Sequence, residues 1–148
     1  MVMLNGKQIF GGRGEGLALV TKMPMNFTAA FTKLANLLPH KRSTIQDRHH
    51  DLYKKSVKGR VLVFPAAIGS TYTGMVLLQR MYEKAGPAAM IVQRADSLLV
   101  SGTVLAEVWF GRGVPVVEYA EDDLLDKIKT GDRVSVDGQT GKICIVPG

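Results

Sequence analysis

The segment Gly69-Ser70-Thr71-Tyr72-Thr73-Gly74 has the residue types and the position to do chemistry. It lies between a buried-strand pattern and a helical pattern, the junction at which open α/β sheets bind ligands. Backbone amides at a helix start point outward, and the helix dipole favours negative charge there. A serine in that place has three uses: it can cap the helix, hold an anion, or act as an acid or base. A serine hydroxyl is a weak base at neutral pH, so amide donors and a nearby cation would be needed to support its alkoxide form. The motif alone leaves capping and chemistry both open. It is not a P-loop, because the Gly-Lys-Ser/Thr ending is missing. It is not a nucleophile elbow either, because no Gly-x-Ser-x-Gly occurs.

Other constellations are weaker. Ser70 with His49 or His50 and Asp47 or Asp51 could form a triad, but no spacing supports it. In Asp47-Arg48-His49-His50-Asp51 the histidines are adjacent and would face apart on a strand, a poor metal pattern. Loop anchoring, or contact with a phosphate or carboxylate, is the better role for them. The cluster of Gly11, Gly12, Gly14 and Gly16 is only loosely like a dinucleotide fingerprint, since no long buried strand precedes it and no helix follows. Glu107 and Trp109 sit in an apolar stretch, where a buried, paired Glu is expected. The single cysteine, Cys144, allows no internal disulfide and no cysteine-held cluster; it reads as a small strand residue.

The elements that must position Ser70 are legible around it. Arg60 to Pro65 is a buried strand, with Gly59 before it and β-branched and aromatic residues within. After the serine, Met75, Leu78 and Tyr82 repeat at helical spacing on one face, with Gln79, Arg80, Glu83 and Lys84 on the polar side. Gly86-Pro87 stops the helix. Ala88 to Gln93 is a second buried strand, and the crossover is long enough for parallel pairing. Farther out, Lys7 to Thr21 suggests two strands around a glycine turn, an early hairpin. A short helix is expected over Ala29 to Leu37. Leu98 to Val100 is read as a strand and Thr103 to Trp109 as a short helix. Val114 to Tyr119 is another strand, and Glu121 to Lys129 an amphipathic helix, acidic first and basic last. Lys129 to Val146 closes as a hairpin with Asp137-Gly138 and Thr140-Gly141 at the turn. The expectation is an α/β fold: one domain over residues 1–148, a mixed sheet with two or three helices, arranged as two sheet layers plus a helical layer.

Composition agrees with a globular chain. Of 148 residues 46% are hydrophobic and 22% charged, enough to bury a core without disulfides or metal. No apolar run approaches a membrane span. The N-terminus lacks the order of a signal peptide, which points to the cytoplasm. The net charge is +6. Most of it lies from His40 to Arg60, where seven basic residues face Asp47 and Asp51. Without stacking aromatics beyond Tyr53, an anionic substrate or an acidic partner explains that stretch as well as nucleic acid does, and a solvated loop is the plain alternative.

Several segments, in order, resemble the small swivelling subunit of aconitase X. They are Gly12 to Val20, His50 to Tyr53, Lys58 to Pro65, Gly69-Ser70-Thr71, Gly86 to Ile91, Gly113 to Val117 and Ile128 to Asp132. The resemblance implies a swivelling β/β/α domain and a cytoplasmic heterodimer with a larger subunit. This chain would bind no cofactor, and the large subunit would carry an iron–sulfur cluster. The implied activity is a hydro-lyase (dehydratase) reaction in a shared active site on a small anionic substrate, the small subunit being inactive alone. Ser70 matches the family's catalytic serine, the base that takes the substrate proton. Gly69, Thr71, Arg13 and His50 are the expected substrate contacts. Two substrates are implied: cis-3-hydroxy-L-proline and mevalonate 5-phosphate. Archaeal members usually carry a Ser-Phe-Trp-Gly-Gly-Val-Asp stretch where this chain has Asn26 to Phe31, and the basic segment Leu37 to Gln46 is inserted here. Both departures favour cis-3-hydroxy-L-proline or a related small hydroxy acid. The competing readings are a phosphohistidine-type mobile carrier, for which His40, His49 and His50 are poorly placed, and a non-enzymatic protein binding nucleic acid through the basic stretch.

Overall fold

The computed structural model describes all 148 residues. The strands are β1 (Val2–Asn5), β2 (Lys7–Phe10), β3 (Arg13–Val20), β4 (Val61–Phe64), β5 (Ala89–Val92), β6 (Val116–Glu118), β7 (Arg133–Asp137) and β8 (Lys142–Val146). The helices are α1 (Phe27–Phe31), α2 (Thr73–Tyr82), α3 (Ser97–Phe110) and α4 (Leu124–Lys127), with 3-10 turns at Leu34–Leu37 and Pro39–Lys41. The strand order is β1-β8-β7-β3-β4-β5-β6-β2.

β3 belongs to two sheets. Its first half, Arg13 to Leu17, pairs antiparallel with β7, and its second half, Ala18 to Val20, pairs parallel with β4. One layer is therefore antiparallel (β1, β8, β7, β3). The other is parallel through β3, β4, β5 and β6, with β2 antiparallel at its edge. Val61, Val63, Ala89 and Ile91 face the antiparallel layer, in a core with Val134, Val136 and Ile143. The alternate residues Leu62, Phe64, Met90 and Val92 face the helices, in a core with Phe27, Leu77 and Leu99. That explains the continuous apolar runs of β4 and β5, which are buried on both sides. The expected two sheet layers and one helical layer are present.

The glycine cluster serves the sheet junction and not a dinucleotide. A Cβ on Gly14 would lie 2.1 Å from the Ala88 carbonyl oxygen, and one on Gly16 would lie 2.2 Å from that of Gly59. Only bare backbone lets the start of β3 pass under the entrances to β4 and β5.

Four local expectations are corrected. β2 and β3 are not a hairpin: they pair with β6 and β7, because their apolar partners lie far along the chain. Leu98 to Val100 is not a strand but the first turn of α3, capped by Asp96, whose Oδ1 accepts from the Leu99 amide at 2.8 Å. The helix expected over Ala29 to Leu37 ends at Phe31 and resumes as a 3-10 turn. The helix expected over Glu121 to Lys129 is regular only over Leu124–Lys127. Two long helices and two short ones result.

In α2 three residues depart from the expected sides, while Leu78 packs on the core and Gln79 and, just past the helix, Lys84 are exposed as expected. Met75 and Tyr82, read as its inner face, are 66% and 50% exposed, whereas Arg80, read as polar and outer, is 6% exposed. Val76, Leu77 and Met81 make the core contact instead. Arg80 donates to the carbonyls of Phe31 (3.3 Å) and Arg42 (3.1 Å) and pairs with Glu83 at 3.2 Å, which also holds Arg42 at 3.0 Å. This network ties the chain after α1 to the last turn of α2.

The closing hairpin has a charge-dependent turn. Asp137 accepts from the Gln139 amide at 3.0 Å, and Arg13 stands 3.5 Å away. The Gln139 amide first, then that of Thr140 and the Arg13 charge, hold the Asp137 carboxyl below the ordinary carboxylate range. A carboxylate depressed by folding stabilises the fold above its unfolded pKa, and that stabilisation is lost as the pH falls through the folded value. Asp137→Asn is therefore expected to lower the melting temperature at neutral pH, and the difference from the unaltered chain is expected to vanish in acid, below the carboxylate range. Melting curves across that interval check this; a difference that persists in acid would mean the charge is not responsible.

Candidate functional site

The site is built where β4 leaves the sheet. After Phe64 the chain continues beside Met25: the Met25 amide donates to Ala66 O (2.9 Å), and the Ile68 amide to Met25 O (2.9 Å). This brings Asn26, which caps α1 by accepting from the Ala29 amide at 3.0 Å, against Gly69. Gly69 has φ +92°, and a Cβ there would lie 2.6 Å from Asn26 Nδ2. Glycine is therefore required for both conformation and space. The Gly69 turn sits between the start of α1 and the start of α2.

Ser70 follows, half-buried. It does not cap α2 in the usual sense, since the cap position is Tyr72 and has no side-chain bond. Instead Ser70 Oγ accepts from the Tyr72 amide at 2.9 Å, and Thr73 Oγ1 donates to the Ser70 carbonyl at 2.9 Å. The Ser70 hydroxyl proton has no acceptor within the chain. An amide thus points at Oγ beside a helix N-terminus, an arrangement that stabilises negative charge on that oxygen. Thr71 is exposed and its hydroxyl has no partner within the chain.

The other expected contacts lie elsewhere. Arg13 is at the opposite end of β3, about 23 Å from its C-terminal end by strand rise, where it pairs with Asp137. The fold does not bring it to Ser70. His50 is 6% exposed, and both ring nitrogens are engaged: Nδ1 lies 3.1 Å from the Leu52 amide and 3.1 Å from Asp51 Oδ1, and Nε2 lies 3.2 Å from Pro24 O. It anchors the 47–53 loop beneath Met25, the role the sequence left open. Beside it, Asp51 accepts from Thr21 Oγ1 at 2.7 Å.

Two cations escaped the sequence reading. Lys22 follows the end of β3 and Arg94 the end of β5, on the same edge of the parallel sheet as the exit of β4. Both are exposed, and neither is ion-paired within the chain. The signal that could have found them is a cation one or two residues beyond a buried strand. The Gln93 and Arg94 amides both donate to Pro65 O (3.1 and 3.0 Å), which ties that edge to the Ser70 loop. Around the site the surface is apolar: Ile68, Tyr72, Met75 and Leu98 are 51%, 61%, 66% and 42% exposed. The chain has no group of three or more metal-ligating side chains, and Cys144 stands alone on β8. It has no helix long and apolar enough to cross a membrane.

Comparison with known proteins adds the following. A family model described as the aconitase X swivel domain matches residues 3–145. The phosphomevalonate dehydratase small subunit of Methanocella arvoryzae is 37% identical over 96% of this chain and 98% of its own length. The protein of the same name from Methanocaldococcus jannaschii is 30% identical over 97% of each. The crystal structure of Thermococcus kodakaraensis aconitase X, holo-form, superposes with a TM-score of 0.82 at 28% identity, covering 99% of both chains.

Proposed function

Because the chain belongs to the aconitase X swivel-domain family, we propose that it is the small subunit of a dehydratase acting on mevalonate 5-phosphate, with Ser70 as the base in a site shared with a large subunit. The observation that carries this is a half-site. Ser70 presents a polarised oxygen at an open edge, surrounded by exposed apolar side chains, without a second acid or base beside it. A surface of that kind is completed by another chain.

The names of the relatives favour mevalonate 5-phosphate over cis-3-hydroxy-L-proline. The two departures that favoured hydroxyproline lose their force. In the capped helix that follows Asn26, Phe27 and Phe31 are 1% and 3% exposed, so variation at those two positions is a matter of packing. The basic insertion is held at the far end of α2, by Arg80 and by Ser43, whose hydroxyl donates to Ala85 O at 2.6 Å. Lys22 and Arg94, on the site's own edge, suit a phosphorylated acid.

In this reading Ser70 Oγ, deprotonated, takes a proton from carbon 2 of the 3-hydroxy acid, the carbon 2–carbon 3 double bond forms as the carbon 3–oxygen bond breaks, and the hydroxide released together with the proton now on Ser70 makes up the water lost, which returns Ser70 to its base form. The Tyr72 amide supports Oγ while it is charged. The iron–sulfur cluster of the family does not fit this chain, which has one cysteine, half-buried on a strand; it is assigned to the large subunit.

The test is anaerobic co-expression with the cognate large subunit, followed by assay of both substrates. Loss of water from mevalonate 5-phosphate, with a far lower kcat/KM for cis-3-hydroxy-L-proline, is expected. The reverse preference would overturn the substrate and leave the subunit role. Failure of the chains to assemble would overturn the subunit role itself.

A further inference from the structure

The loop after α1 is built inside out. Asn36 is 4% exposed, whereas its neighbours Leu34, Leu37 and Leu38 are 83%, 72% and 47% exposed. The Asn36 amide holds the loop from within: Nδ2 donates to Lys41 O (3.0 Å) and Thr44 O (2.9 Å), and Oδ1 accepts from the Lys33 amide (3.1 Å). Arg80 and Glu83 fix its far end through Arg42. Three leucines are thus displayed on a rigid support, which lowers the ordering cost of binding. An apolar cluster held in water in this way marks an interaction surface.

Two observations identify what covers it. The first is charge. Lys33, His40 and Lys41 flank the leucines and Arg48 lies in a cleft with Leu34, facing Asp47, while Arg42 is paired with Glu83. The complementary surface is an apolar recess edged by carboxylates. The second is position. A second cleft joins Leu34 and Leu37 to Gln79 of α2. From Gln79 the exposed positions Met75 and Tyr72 lead back along the helix, roughly 10 Å by helical rise, towards the Ser70 turn that precedes it. A partner seated over Ser70 with a footprint of about 800 Å² reaches the leucines.

We propose that the 33–42 loop is a second docking element for the large subunit, its leucines entering an apolar recess rimmed by acidic side chains. This rests on the subunit role proposed above. The test is the affinity of the purified cognate large subunit, by biolayer interferometry, for the unaltered chain, for Leu34→Asp and for Leu34→Asp/Leu37→Asp. The double variant is expected to bind roughly 100-fold more weakly, the scale of losing two buried apolar anchors. Its melting temperature should be unchanged, and kcat should recover at saturating concentration. Equal binding of all three chains would overturn the docking element while leaving the subunit role intact. No binding even of the unaltered chain would overturn both. If the unaltered chain alone formed dimers that Leu34→Asp dissolves, or bound anionic lipid vesicles through the same leucines while its affinity for the large subunit stayed unaffected, the leucines would belong to that occupant and the proposal would fall.

Discussion

Replacing Ser70 by alanine is expected to lower dehydration by the assembled complex about 10³-fold, the usual scale for removing a positioned base, while leaving the chain folded and bound to its partner. The structural cost is small. Ser70 Oγ makes one bond within the chain, from the Tyr72 amide, at an exposed turn. Losing such a bond costs about 1 kcal/mol or less, because water replaces it. The Thr73 hydroxyl still holds the Ser70 carbonyl. Thr73→Ala is the informative companion, since it loosens the same turn from a residue that is 2% exposed. If Ser70 only shapes the turn, the two variants should lose stability and activity together. If Ser70 is the base, Ser70→Ala should lose activity with its melting temperature nearly kept, whereas Thr73→Ala should lose more stability and far less activity than Ser70→Ala. Parallel measurements of turnover and thermal unfolding separate these outcomes.

The Ser70 neighbourhood was readable because its parts are local. A strand buried on both faces shows as an uninterrupted apolar run, as at β4 and β5. A two-strand hairpin carries its own turn chemistry, as at Asp137 to Gly141. The glycine at 69 and the serine at 70 stand between those signals. What could not be read depends on distant partners. β2 and β3 look like a hairpin, but their pairing is settled by β6 and β7, more than a hundred residues away in sequence. α3 is apolar on nearly all sides, so periodicity could not separate its first turn from a strand. The faces of α2 were misread at Met75 and Tyr82, which look like core residues and are surface ones. That error is physical information: a helix that buries Val76, Leu77 and Met81 and still exposes Met75 and Tyr82 has a second apolar side with an unmet partner. Arg13 matched the family's pattern by sequence, yet the length of β3 carries it to the other end of the sheet.

Where α2 crosses α3, Gly102→Val is expected to cost stability and turnover together. The helices are in backbone contact at this crossing. A Cβ on Gly102 would lie 2.6 Å from the Gly74 carbonyl oxygen, and one on Gly74 would lie 2.9 Å from that of Leu98. Neither oxygen can give way as a side chain could. In an exposed helix, replacing glycine by alanine stabilises by about 1 kcal/mol. Here the sign should reverse, because the added methyl must push α2 outward. For valine the overpacking penalty of about 2 kcal/mol corresponds to a loss of about 6 °C in Tm. α2 begins three residues after Ser70, so the same displacement moves the Tyr72 amide and Ser70 Oγ relative to the partner. A misplacement of about 1 Å costs about 10²-fold in rate. Melting curves and turnover of Gly102→Ala and Gly102→Val, each in complex with the large subunit, test the argument. A rise in Tm for the alanine variant would show that the crossing has room to spare. A drop in Tm with unchanged turnover would show that Ser70 is held by its own loop, through Asn26 and Gly69, and not by the helix that follows it.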